Sequence, residues 1–209
     1  MAKFLRTSGR AGVRRYVDAA ARLLIRVGVS ANAVTVTGTA IVVAAAVLLL
    51  SQGHLLAGLI VVGLSVFTDM LDGAIARVKG TTSRFGALLD STCDRLADGA
   101  IFAGLAYFLL AEGRFLGAAL ALTALVAGQL VSYVKAAAGN LGARVDVGIA
   151  ERPERLIIAG LAVLVEVIGV PFALEAGLGL LAVLSTVTVV QRFVQAHALL
   201  AASEERVDA

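Results

Sequence analysis

The chain has 209 residues, 59% of them hydrophobic and 16% charged, with a mean hydropathy of +0.93, whereas a soluble domain carries about 45–50% apolar and about 25% charged residues. That balance excludes a disordered chain, and the single cysteine, Cys93, excludes a secreted disulfide scaffold. A net charge of +3, no tryptophan and 5% aromatics give no nucleic-acid-binding surface.

Only two prolines and 22 glycines punctuate long runs of Ala, Leu and Val, a composition that suits helices packed closely through small residues in lipid. The apolar runs are continuous over helix-spanning lengths, so a barrel of strands alternating apolar and polar residues is not expected. The expectation is an all-α integral membrane protein with six transmembrane helices and an N-terminal amphipathic surface helix, forming a single domain over 1–209.

In chain order, residues 10–28 come first. Val13, Tyr16, Val17, Ala20, Leu23, Leu24 and Val27 recur three and four apart, and Arg14, Arg15, Asp18, Arg22 and Arg26 fill much of the remainder. The spacing predicts a helix lying on an anionic membrane surface. The bundle follows over 34–200, with spans at about 34–50, 55–77, 86–110, 115–138, 155–174 and 177–200. A turn at Ser51-Gln52-Gly53-His54 separates the first two, and a polar connection over 139–154 separates the fourth from the fifth.

Six spans put both termini on one side. Lys3, Arg6, Arg10, Arg14, Arg15, Arg22 and Arg26 precede the first span, Arg77, Lys79 and Arg84 lie between the second and third, and Lys135, Arg144, Arg152 and Arg155 surround the polar connection. Arg206 sits in the tail, and Arg114 lies at a turn on the other side. The asymmetry places the termini and both polar connections in the cytoplasm, in a multi-pass protein of the plasma membrane.

Ionisable side chains cost roughly 2.5–3.5 kcal/mol each to insert at the centre of a span, so those present are functional candidates. Asp69 and Asp72 stand three apart near the end of the second span, and Asp90 and Asp94 four apart near the start of the third. Each pair shares a helix face. The connection 78–85 is short, so the two helices are expected to be antiparallel neighbours with all four carboxylates at similar depth. Four carboxylates in one small volume repel unless cations sit among them. Oxygen ligands without His or Cys company favour magnesium, manganese or calcium over zinc or copper. Two such ions on four carboxylates suit phosphoryl transfer. Gly73 lets a substrate approach the backbone, and Arg77, one turn beyond, can grip a phosphate with two parallel hydrogen bonds. On spacing alone, a transporter's cation pathway and a structural set of helix-end charges stay open beside a metal-dependent transferase.

The string Asp69-x2-Asp72-Gly73-x2-Ala76-Arg77-x8-Gly86-x3-Asp90-x3-Asp94 resembles the complete signature of the CDP-alcohol phosphotransferases, and no position departs from it. The six-span layout with an N-terminal surface helix resembles that family as well. The resemblance implies transfer of a phosphatidyl or related group from a CDP-linked donor to an alcohol with release of CMP, by a homodimer holding two Mg2+ ions, for which Mn2+ can substitute. It implies that Asp69, Asp72, Asp90 and Asp94 are metal ligands and that Asp94 is also the catalytic base toward the acceptor hydroxyl. A carboxylate beside like charges can have its pKa raised toward a useful value, which suits that role. Gly73, Arg77 and Ser83 would contact the donor, CDP-diacylglycerol. Asn32, Ala33, Val34 and Thr35 resemble the family's donor-binding segment, with Ala31 where a proline is often found.

The acceptor must be read from residues outside the signature. Lys135, Arg152, Arg155 and Arg192 fall near cytoplasmic span ends or just inside spans, where they could form an anion pocket. The bland alternative makes Arg152 and Arg155 membrane-face anchors paired with Glu151 and Glu154. The segments 85–95, 132–136 and 151–158 resemble actinobacterial family members that use myo-inositol phosphate, which implies that compound as acceptor and an inositol phospholipid as product. Glycerol phosphate, which needs the same cations, is the alternative. His54 and His197 read as surface residues and Cys93 as a packing residue. Asp98 could support Arg95 or Lys135, and Glu166 requires a polar neighbour that the sequence does not name.

Overall fold

The structure, a computed structural model, describes residues 22, 23, 25, 26, 28–79 and 83–207, and within these the backbone alone of 66–73, 76–79 and 204–207. Most of the predicted surface helix at 10–28 therefore lies outside the described residues. All regular structure among the described residues is helical: α1 (Ala31–Ala45) continuing into a π turn (Ala46–Leu50), α2 (Leu55–Lys79), α3 (Arg84–Ala111), α4 (Phe115–Asn140), α5 (Arg152–Val167) and α6 (Ala173–Val207). Ala31–Leu50, Phe115–Asn140 and Ala173–Ser203 are long and apolar enough to cross a membrane. No more than 39% of any of their apolar windows is buried, so most of the apolar surface faces outward, as lipid requires and water would penalise.

Two compact units make up the chain, Met1–Ala45 with Ile60–Asp98 and Ala46–Leu59 with Gly99–Ala209. In the first, Ser30 Oγ accepts the Ala33 N–H at 3.2 Å and so starts α1. Thr35, Gly38, Val42 and Ala45 recur at helical spacing along its buried face. Ala74 and Ile75 of α2, fully buried, form a small core with Ile25, Ala31 and Val34.

The second unit is built on small residues. Gly117, Ala118, Ala121, Ala124, Ala127, Gly128, Val131, Val134 and Ala138 form a buried stripe along α4, and α4 packs along α6 more extensively than any other described pair, followed by α5 along α6. Small side chains let helix axes approach closely where no hydrophobic force separates helix from lipid. At Gly177 of α6 an added Cβ would stand 2.3 Å from the Ala162 Cβ of α5, so only glycine permits that crossing.

The last two helices differ from expectation, the sixth running over Ala173–Val207 where 177–200 was expected. The fifth helix ends at Val167, short of 174, and α6 begins at Ala173. Apolar residues run unbroken through Ile168, Val170 and Phe172, so hydropathy does not mark the stop. The backbone does, with φ +93° at Gly169, Pro171, and φ +60° at Phe172.

Candidate active site

Asp69, Asp72, Gly73 and Arg77 all lie in the second half of α2, and their side chains lie outside the described residues. Asp90 and Asp94 stand one turn apart on α3, Asp90 exposed and the Asp94 side chain 21% exposed. Among the described residues no set of three His, Cys, Asp or Glu side chains is gathered closely enough to hold a metal. Asp90 and Asp94 are water-accessible oxygen donors, a chemistry that fits a hard divalent ion. Asp98, one turn beyond Asp94 and only 4% exposed, has its carboxylate 3.7 Å from Arg95, one of the two partners left open by the sequence. Arg95 also reaches Asp94 at 4.0 Å. Cys93 is buried with a free thiol, as a packing residue would be.

Of the residues assigned to the donor, Asn32 and Ser83 stand near each other in the first unit, on either side of Gly86. Ser83 Oγ accepts the Gly86 N–H at 2.8 Å and caps the start of α3. A Cβ at Gly86 would lie 3.0 Å from Ser83 Oγ and 3.5 Å from Asn32 Oδ1, so this glycine keeps open a small polar cradle between the start of α1 and the start of α3. Asn32 and Ala33 are exposed, whereas Val34 packs on Ala74 and Ile75. Thr35 is buried and donates its hydroxyl to Ala31 O at 3.1 Å.

The basic residues assigned to the acceptor all lie in the second unit, and their environments differ. Lys135 and Asp146 pair at 3.0 Å with 47% and 76% of their side chains exposed, a contact that water and salt weaken. Arg155 is 2% exposed, which removes the reading of it as a solvent-facing anchor. Its guanidinium lies against Gly128 of α4, where a Cβ would come within 3.1 Å of Nε. It donates from Nη1 to Ala150 O at 3.5 Å. Arg192, 3% exposed, donates from Nε to Val147 O at 2.8 Å, from Nη1 to Val131 O at 2.6 Å and from Nη2 to Glu151 Oε1 at 2.8 Å. Glu151 thus serves Arg192, and it precedes α5 without capping it by its side chain.

Sequence reasoning missed two features. Gly128 is indistinguishable from the other small residues of α4 until Arg155 is seen against it. Glu166 finds its partner in Arg114, which also binds both carboxylate oxygens of Glu175, while the other Glu166 oxygen accepts the Leu174 N–H at 3.0 Å. The hydrogen bonds to Glu175, then to Glu166, hold Arg114 still further above its ordinary range, so it stays charged. The signal available beforehand was a lone arginine at a turn and two carboxylates in or beside spans.

A CDP-alcohol phosphatidyltransferase family model matches residues 28–190, and the chain belongs to that family. It is 47% identical over 188 residues to the phosphatidylinositol phosphate synthase of Mycobacterium bovis (strain BCG / Pasteur 1173P2), covering 88% of this chain and 86% of that one. Among solved structures, it resembles the phosphatidylinositol phosphate synthase of Mycobacterium tuberculosis with CDP-DAG bound, at TM-score 0.83 and 45% identity over 87% of this chain and 94% of that one. The same enzyme in complex with manganese and citrate also matches at TM-score 0.83 and 45% identity, over 86% and 88% of the two chains.

Proposed function

We propose that this chain transfers the phosphatidyl group of CDP-diacylglycerol to 1D-myo-inositol 3-phosphate and releases CMP. The observation that carries this reading is the identity of 47% over 188 residues with a phosphatidylinositol phosphate synthase, in a chain that keeps every fixed residue of the aspartate signature.

Asp69, Asp72, Asp90 and Asp94 hold two divalent ions, Mg2+ with Mn2+ as substitute, and the manganese bound by the M. tuberculosis relative supports a divalent ion here. When bound, such ions neutralise donor phosphate oxygens and the charge that develops during transfer. Asn32, Ala33, Val34, Thr35, Gly73, Arg77 and Ser83 receive the CDP-diacylglycerol. Asp94 takes the proton of the acceptor hydroxyl. That oxygen bonds to the β-phosphorus while the bond to the CMP oxygen breaks, and CMP leaves with the electron pair. Lys135, Arg152, Arg155 and Arg192 serve the acceptor's phosphate, with planar guanidiniums supplying paired donors.

The protein acts as a homodimer of a single 1–209 domain in the plasma membrane. Six spans and a surface helix at 10–28 put both termini and the reacting groups on the cytoplasmic face. The three membrane-length helices and the asymmetric placement of Lys and Arg support this topology. The test is a competition assay with CDP-diacylglycerol and Mg2+, offering inositol phosphate, free inositol and glycerol phosphate together. Phosphatidylinositol phosphate is the expected product, preference for glycerol phosphate makes the chain a phosphatidylglycerol phosphate synthase, and ion flux without CMP release would make it a transporter.

A further inference from the structure

The connection between α4 and α5 has no regular structure, yet one face of α6 holds it at every turn. Thr188, Arg192 and Gln195 stand at i, i+4 and i+7 of that helix, and a helix aligns such positions in one stripe. Gln195 Oε1 accepts the Asp146 N–H at 3.2 Å. Arg192 Nε donates to Val147 O. Thr188 Oγ1 accepts two N–H groups, those of Ile149 at 3.2 Å and Ala150 at 3.1 Å, while donating its own proton to Leu184 O at 2.8 Å. A hydroxyl has one donor and two acceptor sites, so Thr188 is saturated. Thr188 and Ala150 are both fully buried, so at the Ala150 amide this oxygen takes the place of water.

The backbone is shaped to the latch. Gly148 has φ +153°, which side chains rarely adopt, and a Cβ there would stand 2.7 Å from the Thr188 Cγ2. Ala150, gripped through its N–H by Thr188, presents its carbonyl to Arg155 Nη1. Arg155 also lies against Gly128, where an added Cβ would crowd its Nε. One residue, Ala150, therefore links the α6 hydroxyl to the buried guanidinium.

We infer that Thr188 is a positioning residue for the acceptor site: by fixing the Ile149 and Ala150 amides it sets where the Ala150 carbonyl directs the Arg155 guanidinium, and so how tightly the phosphate of a polyol phosphate is held. The inference rests on the reading of Arg155 as an acceptor-phosphate ligand. Thr188 touches neither substrate, and its effect runs through Ala150. The methyl of the threonine fits against Gly148, and the hydroxyl sets the loop.

The experiment compares full-length wild type, Thr188→Val and Thr188→Ser in nanodiscs. Two readouts are taken: amide hydrogen exchange across 143–151 and steady-state kinetics with CDP-diacylglycerol and inositol phosphate varied separately. Thr188→Val keeps the shape and removes the acceptor. It should speed exchange at Ile149 and Ala150 by about tenfold or more and raise the acceptor KM by about tenfold, equivalent to ~1.4 kcal/mol, with the donor KM unchanged. Thr188→Ser keeps the oxygen and should restore both. Unchanged exchange in Thr188→Val overturns the inference, as does faster exchange with both KM values moving together or neither moving. Gln195→Leu, which releases only Asp146, should speed exchange at Asp146 and leave the acceptor KM near wild type; a rise equal to that of Thr188→Val would mean that general loop loosening, not the Ala150 link, governs the site, and would likewise overturn it. If wild type itself releases no CMP with inositol phosphate, the functional reading fails on that arm alone, and the exchange arm still reads whether the latch exists.

Discussion

Arg114 offers the sharpest test of what holds the second unit together. It lies in the turn before α4 and joins Glu166 near the end of α5 to Glu175 in the first turn of α6. The three side chains are 22%, 14% and 13% exposed. Arg114→Met removes the charge and keeps an unbranched side chain, leaving two carboxylates close together with little water. Stripping one partner from a buried ion pair costs about 3–5 kcal/mol. The residual exposure of Arg114 lowers this to about 2–4 kcal/mol, because solvent screens part of the interaction. At about 2–4 °C per kcal/mol for a chain of this size, the melting temperature should fall by roughly 4–16 °C. The assay is thermal unfolding of the detergent-solubilised protein, followed by the loss of helical circular dichroism. Adding Glu166→Gln and Glu175→Gln to the same background should recover part of the loss, since the stranded charges disappear while the amide oxygen of a glutamine at position 166 can still accept the Leu174 N–H. Initial rates at a permissive temperature should stay at wild-type level, because α4 separates Arg114 from Lys135 by about 30 Å at 1.5 Å per residue. A melt of Arg114→Met that overlays wild type, or a triple variant less stable than the single one, would refute the reasoning.

Replacing the proposed base, Asp94→Asn, should cut CMP release by about 10²–10⁴ while the melting curve persists; turnover at the wild-type rate would remove Asp94 from that role. Exhaustive chelation should abolish transfer, and Mg2+ or Mn2+ should restore it, as read by CMP release before and after metal addition. Gly128→Ala puts a methyl 3.1 Å from the Arg155 Nε, and a 2%-exposed guanidinium has little room to retreat. The acceptor KM should rise by about 3–10-fold with the donor KM unchanged, as expected for a displaced contact worth about 1 kcal/mol. Equal changes in both would contradict a separate acceptor pocket.

The chain order of helices was legible because an α-helix closes its hydrogen bonds within four residues and lipid demands continuous apolar runs, both of which are local properties. The aspartate signature was legible for the same reason: its residues are fixed by their spacing along α2 and the start of α3. The end of α5 at Val167 was not legible in hydropathy, because Ile168 to Leu174 is as apolar as the helix before it; the signals there were Gly169 and Pro171, which the apolar run masked.

The partners of the charged residues were beyond the sequence. Arg114 meets Glu166 and Glu175 across 52 and 61 positions, and Arg192 meets the Val131 carbonyl across 61. Nothing local selects Glu151 for Arg192 over Arg152 or Arg155 beside it. By itself the sequence determined the kind of structure, the family and the spacing of the four carboxylates proposed as metal ligands, since these follow from composition and short-range spacing. Tertiary structure decided which cations are buried, what each one binds and which glycines make room for them, because those follow from how helices distant in sequence pack, and a buried charge is tolerated only where packing supplies its partners.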